Sequence, residues 1–190
     1  MLIDPNKTLL VGITGASGSI YALQFLKELK NLQITCEVII TKAGEYVLQK
    51  ELNLLLKDLE KFANKIYREE EFYAPPASGS ADYSGMVIIP CSMGTVGAIA
   101  SGISRNLLQR AADVILKEKK TLVLVIRETP LNLIHLKNLL TCAEAGSIIF
   151  PACPAFYQNP RTIEELVLFF IKRLISFLGL SPSFKPWKPA

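Results

Sequence analysis

The sequence is short of the residues that build metal sites. It has one histidine, His135, and four aspartates, Asp4, Asp58, Asp82 and Asp113, no two of them near each other. That excludes a histidine-rich zinc centre and gives no sign of the paired-aspartate motif that bridges magnesium to a diphosphate. A Ser–His–Asp triad is set aside as well, because His135 falls inside a predicted helix. The four cysteines, Cys36, Cys91, Cys142 and Cys153, include no C-x-x-C pair; they read as buried thiols of a reducing compartment rather than a disulfide framework. No apolar run approaches the roughly 18 residues a membrane helix needs. Met1–Lys7 lacks an apolar stretch followed by a small-residue cleavage site, so no signal peptide is read and a cytoplasmic location is expected. The net charge of +4 comes without a long cationic run, which sets nucleic acid aside and suits anionic small molecules.

What the chain has in quantity is apolar surface. Half of its 190 residues are hydrophobic and the mean hydropathy is +0.31. With no spanning segment, that excess predicts burial between subunits of a homo-oligomer. Apolar segments alternate with helical patterns. Strands are predicted at Thr8–Thr14, Cys36–Thr41, Met86–Pro90, Thr121–Ile126 and Ser147–Phe150. Helices are predicted at Ser19–Lys30, from Gly44 to Glu51, through Glu118 with a break near Ser101–Ser104, at Asn132–Ala145, and, after the loop Pro151–Arg161, to near Leu178. The charged segment Lys57–Glu71 takes no assignment. Strands without polar alternation, each followed by a helix, predict an α/β fold: one domain over residues 1–190, an open parallel sheet with helices on both faces. The C-terminal helix and tail, residues 162–190, are assigned to subunit contacts, because Phe169 and Phe177 widen the helix's apolar stripe.

Ligands in such sheets sit beyond the carboxyl ends of the strands, so the loops there are the candidate site. The first strand runs into Gly12-Ile-Thr-Gly-Ala-Ser-Gly-Ser19, where small residues let backbone amides approach a phosphate at a helix N-terminus. It is neither the G-x-G-x-x-G of dinucleotide folds nor the G-K-[ST] of triphosphatases, and Ser17 lacks the closing glycine of a nucleophile elbow. A tight strand-to-helix turn of no further function is the plain alternative. Pro90-Cys-Ser-Met-Gly-Thr95 repeats the pattern, with an ordinary N-cap as its plain alternative. Arg127-Glu-Thr-Pro130 ends a buried strand, either as a site pair or as a surface ion pair. Tyr157 lies in the loop after the last strand, as a phosphate donor or a packed aromatic.

Seven short segments in order make the chain resemble the UbiX family of flavin prenyltransferases: the glycine turn, Pro75-Pro-Ala-Ser-Gly-Ser80, Pro90–Thr95, Asn106–Asp113, Val114–Glu118, Arg127–Leu131 and Pro154–Tyr157. Trp187 in the tail fits as well. The resemblance implies a Rossmann- or flavodoxin-like flavoprotein that joins a dimethylallyl group from dimethylallyl phosphate to N5 and C6 of FMN. The product would pass to a UbiD-type decarboxylase, with ubiquinone biosynthesis as one such route, and the assembly would be a dodecamer. Carried over by motif, Gly15, Ala16, Ser17, Thr41, Ser92, Met93, Gly94, Thr95 and Arg127 would hold FMN. Arg110, Lys117, Tyr157 and Arg173 would surround the prenyl phosphate, some of them from neighbouring subunits. Ser17, Glu51, Glu128 and Trp187 would be the catalytic set, with the two glutamates handling protons and no metal taking part.

Two other functions fit parts of the pattern. Cysteine-decarboxylase-type flavoproteins share the fold, but resemble one another in a P-A-S-A-N-T loop and an early catalytic histidine; this chain has Gly79 and Ser80 in that loop and a late histidine. A flavin carrier or accessory subunit would need no second phosphate site, and the cationic set Arg110, Lys117, Arg127 and Arg173 argues for one here.

Overall fold

The computed structural model describes residues 2–181. Six strands, β1 (Thr8–Ile13), β2 (Cys36–Ile40), β3 (Lys65–Arg68), β4 (Tyr83–Cys91), β5 (Thr121–Ile126) and β6 (Ile148–Ile149), form one sheet in the order β3-β2-β1-β4-β5-β6. Every pairing is parallel. Successive side chains of a strand point to opposite faces, and here both faces are dry. Leu9, Val11, Ile13, Val87, Ile89, Val123 and Val125 enter one core, while Leu10, Met86, Ile88, Leu122 and Leu124 enter the other. That is why these strands read as unbroken apolar runs.

The first core is closed by α1 (Ser19–Asn31) and the 16-residue α7 (Ile163–Leu178), through Phe25, Leu26, Leu29, Val167, Phe170, Ile171 and Leu174. Leu48 of α2 (Lys42–Leu52) and Leu59 of the single-turn α3 (Leu56–Leu59) join the same side. The second core is closed by α4 (Met93–Ala100), α5 (Leu107–Lys117) and α6 (Leu133–Glu144), with Leu107, Leu108, Ala111, Ile115 and Leu139 buried. Thr162 starts α7 by accepting from the Glu165 amide at 3.1 Å, and Gly179 ends it in a left-handed conformation at φ 80°.

The sequence expectation of five strands is corrected to six. β3 lies in the unassigned charged segment, at the sheet edge, where Lys65 and Arg68 are exposed and Tyr67 alone is buried. A four-residue edge strand with one buried side chain carries almost no periodic signal. Tyr67 and Tyr83 both donate to Glu37 Oε2, at 3.2 and 2.6 Å, which anchors that edge. β4 begins three residues earlier than expected, at Tyr83, and β6 has two residues where four were expected. The helical stretch before Glu118 splits at the expected break, where Gly102 takes φ 65°.

Phe169 and Phe177 find partners inside the chain. Phe169 meets Tyr157 edge-on at 5.2 Å, and Phe177 lies 5.5 Å from Phe150. The larger exposed apolar area is on α6, where Leu133, Ile134, Leu136 and Leu140 are each at least half exposed.

Leu174 is fully buried between α7 and the sheet. Leu174→Ala should cost about 2–5 kcal/mol through lost transfer energy and a cavity. Urea denaturation followed by circular dichroism would show it, and an unchanged midpoint would mean α7 does not dock on this core.

Candidate functional site

From β1 the chain moves outward to β2 and β3, then returns to β4 on the other side of β1. The loops after β1 and β4 therefore part at their carboxyl ends and leave a crevice, the usual ligand position in such sheets. Thr14, 2 % exposed, spans it. Its hydroxyl donates to the Pro90 carbonyl at 2.7 Å and accepts from the Ser92 amide at 2.9 Å. Sequence reasoning passed over Thr14; the available signal was a hydroxyl residue at the end of an apolar strand, between two glycines.

Gly15, Ala16 and Ser17 form the turn after β1. A Cβ at Gly15 would sit 2.5 Å from the Ala43 Cβ, so the missing side chain is used up in packing the turn against α2. Next, the amides of Gly18 and Ser19 donate to the Glu51 carboxylate at 2.9 and 2.7 Å. This corrects the expectation that the α1 N-terminus receives a phosphate, because a carboxylate from α2 already fills it. Burial pushes the Glu51 carboxyl upward, but hydrogen bonds from the Ser17 hydroxyl and the Ser19 and Gly18 amides outweigh it and leave it below its ordinary value. Ser17 and Glu51, assigned to one site by resemblance, are thus brought together, with the carboxylate held by the amides of the two residues that follow Ser17.

After β4, Ser92 is the N-cap of α4. Its hydroxyl accepts from the Thr95 amide at 3.3 Å and lies 3.1 Å from the Thr95 hydroxyl. The plain N-cap reading is therefore correct as far as it goes. The first amides of a helix have no intrahelical acceptor, so those of Met93 and Gly94 remain for an outside one. Gly94 is exposed, and a Cβ there would meet no atom within 4 Å. Nothing in the protein's own packing calls for glycine at 94. The bare position fits the close approach of a flat ligand over the start of α4. Thr41 similarly caps α2, accepting from the Gly44 amide at 3.0 Å.

After β5, Arg127 donates through Nε to the Ser17 carbonyl at 2.8 Å, which ties a third loop to the first. Glu128 is exposed and accepts from the Thr129 amide at 3.0 Å. Among the described residues no ion pair joins Arg127 and Glu128, against the surface-pair alternative. After β6, Tyr157 and Arg173 line a cavity of about 320 Å³ with Cys153, Phe150, Phe169 and Phe170. The structure thus brings Tyr157 and Arg173 together.

Arg110 and Lys117 lie elsewhere. Both are on α5, which covers the face of the sheet opposite α7. Arg110 donates to the Ala77 carbonyl at 3.1 Å and pairs with Asp113 at 2.6 Å, and Lys117 pairs with Glu118. A single cluster of four cations is therefore not found within one chain. Trp187 lies outside the described residues. His135 is at the third position of α6, where its amide donates to Asn132 Oδ1 at 2.8 Å. Among the described residues no three His, Cys, Asp or Glu side chains gather as metal ligands.

Comparison with known proteins places this geometry. The flavoprotein family model matches residues 3–174. The flavin prenyltransferase UbiX of Methanocaldococcus jannaschii is 39% identical over 180 residues, covering 94% of this chain and 97% of that protein. A UbiX protein (PadA1) solved in complex with FMN and dimethylallyl pyrophosphate superposes with a TM-score of 0.93 at 36% identity, covering 97% and 98% of the two chains. A dodecameric FMN-dependent UbiX-like decarboxylase from Escherichia coli O157:H7 gives 0.92 at 34%, covering 96% and 100%.

The Glu51 contact makes a pH-dependent prediction. A folded-state value below the ordinary 4.5 contributes stability above that value, and the contribution is lost as pH falls through the folded one. Glu51→Gln should therefore lower Tm at neutral pH by roughly 2–4 °C, given at most about 1 kcal/mol for an exposed anion at a helix N-terminus. The difference from wild type should vanish on acidification below pH 4.5. A difference that persists unchanged at low pH would remove the electrostatic explanation.

Proposed function

The chain belongs to the flavoprotein family as a UbiX flavin prenyltransferase, and from that premise we propose how its residues divide the work. FMN is the acceptor, and its N5 and C6 are the atoms to which the dimethylallyl group is joined. The observation that carries the assignment of the flavin site is Gly94, whose bare position over the start of α4 is required by no neighbour in the protein. Gly15, Ala16 and Ser17 border the crevice on one side, and Ser92, Met93, Gly94 and Thr95 border it on the other. Thr41 and Arg127 close its ends. The amides of Met93 and Gly94 offer donors to an oxygen of FMN at the positive end of a helix.

Ser17 and Glu51 form the proton-holding pair beside the first turn, a reading supported by the hydrogen bonds that hold the Glu51 carboxylate on the Gly18 and Ser19 amides. Glu128, exposed at the end of β5, is the second proton carrier. The leaving phosphate of dimethylallyl phosphate gathers negative charge, and cationic side chains stabilise it through charge-assisted hydrogen bonds without a metal ion. Tyr157 and Arg173 supply such groups from the last loop and α7. Arg110 and Lys117 supply them from α5 of a neighbouring subunit, since in their own chain the sheet stands between α5 and α7. The exposed apolar face of α6 and the C-terminal helix are the subunit contacts of this arrangement, a dodecamer by analogy with the Escherichia coli protein. Trp187 keeps its assignment from the sequence alone. Prenylated FMN released in the cytoplasm goes to a UbiD-type decarboxylase.

No observation favours the cysteine-decarboxylase reading: His135 sits in the opening turn of α6, bonded to Asn132. Incubation with reduced FMN and dimethylallyl phosphate should raise the flavin mass by one prenyl unit, with or without a chelator. Gly94→Val should weaken FMN binding about tenfold or more while leaving Tm unchanged, since the loss comes from ligand approach alone. Wild-type FMN affinity in that variant would move the flavin site elsewhere. Leu136→Lys with Leu140→Lys should lower the mass seen by light scattering and abolish transfer; a wild-type mass would clear α6 of any role in assembly.

A further inference from the structure

We infer that Gly79 is a positioning residue for Lys117, setting where its ammonium stands on the surface that α5 presents to the prenyl donor; the inference rests on the assignment of Lys117 to the donor phosphate. The loop after β3 folds over α5 in a short 3-10 turn, Pro75–Ala77, and is stiffened by the Ser78 and Ser80 hydroxyls, 2.8 Å apart. Two prolines at the start of that turn fix its backbone further. Arg110 Nε donates to the Ala77 carbonyl at 3.1 Å, so the loop already holds one of the two α5 cations. Lys117 is seven residues further along α5, two turns on and on the same face.

There the loop meets the helix side chains at Gly79. A Cβ at that position would lie 2.6 Å from Lys117 Nζ and would also collide with Glu118 Oε1, the partner of Lys117. The ion pair therefore rests against bare backbone. Gly79 is not among the glycines with positive φ, so its conformation is open to any residue and the glycine is needed for space. Both atoms that a Cβ would meet are ends of flexible side chains. A methyl group at 79 would therefore push the ammonium aside and leave loop and helix in place. This is the reverse of Gly15, where a Cβ would meet the first turn of α2.

The test is steady-state prenyl transfer by the assembled enzyme, with Gly79→Ala, Lys117→Met and the double variant. Displacing one charged donor should raise KM for dimethylallyl phosphate about tenfold in Gly79→Ala. FMN affinity and Tm should stay at wild-type values, and kcat should fall as KM rises, because the same ammonium meets the charge that grows on the leaving phosphate. In the Lys117→Met background, Gly79→Ala should add nothing, because Gly79 acts through the ammonium alone. A raised KM in Lys117→Met with a wild-type KM in Gly79→Ala would overturn the inference and leave the role of Lys117 standing. Full additivity in the double variant would also overturn it, by showing that Gly79 acts by another route. A wild-type KM in Lys117→Met would overturn the role of Lys117 and the inference with it.

Discussion

Between β1 and β4 the two glycine turns leave the sheet in different directions, and the buried hydroxyl of Thr14 is what spans them. Each of its two hydrogen bonds is worth roughly 0.5–1.5 kcal/mol net, and an orphaned buried partner costs more than the bond contributes. Because the hydroxyl belongs to the first turn and both its partners, the Pro90 carbonyl and the Ser92 amide, belong to the second, neither turn can shift without leaving a buried group unsatisfied. Arg127 extends the same lock to the loop after β5 through the Ser17 carbonyl. Three loops that belong to different strands are thus fixed as one surface before any ligand arrives, which is the preorganisation a transfer reaction needs.

The parallel sheet and five of its six strands were legible because burial on both faces leaves continuous apolar runs such as Leu122–Ile126. β3 was not, since Tyr67 is the single buried residue of an edge strand otherwise made of charged or half-buried side chains. In the site, motif matching found Ser17 and Glu51 separately. It could not show that they lie together, because the hydrogen bonds that gather them join the first turn to the far end of α2. Thr14 was missed because a capping threonine and a bridging threonine look alike in sequence. The split of the cations was also out of reach: their spacing along the chain says nothing about which face of the sheet each helix covers.

Glu51 changes the electrostatic picture of the first turn. A helix N-terminus in this position usually serves as an anion site. Here a side chain of the same subunit supplies the anion, and the hydrogen bonds that hold it also keep its carboxyl ionised. The positive helix end therefore stabilises a resident carboxylate beside the first turn. α4 keeps its own first amides open, so the two helices that flank the crevice differ in charge, one neutralised and the other not.

The two glycines on either side of that crevice are held by different forces, and time would separate them. Gly15 answers to Ala43, a demand of the fold itself, whereas Gly94 answers to nothing inside the protein. In a descendant lineage that gave up the ligand, position 94 would be released to drift within few generations of sequence change. Position 15 would stay glycine for as long as the domain continued to fold, a fossil of architecture outlasting the chemistry it once framed.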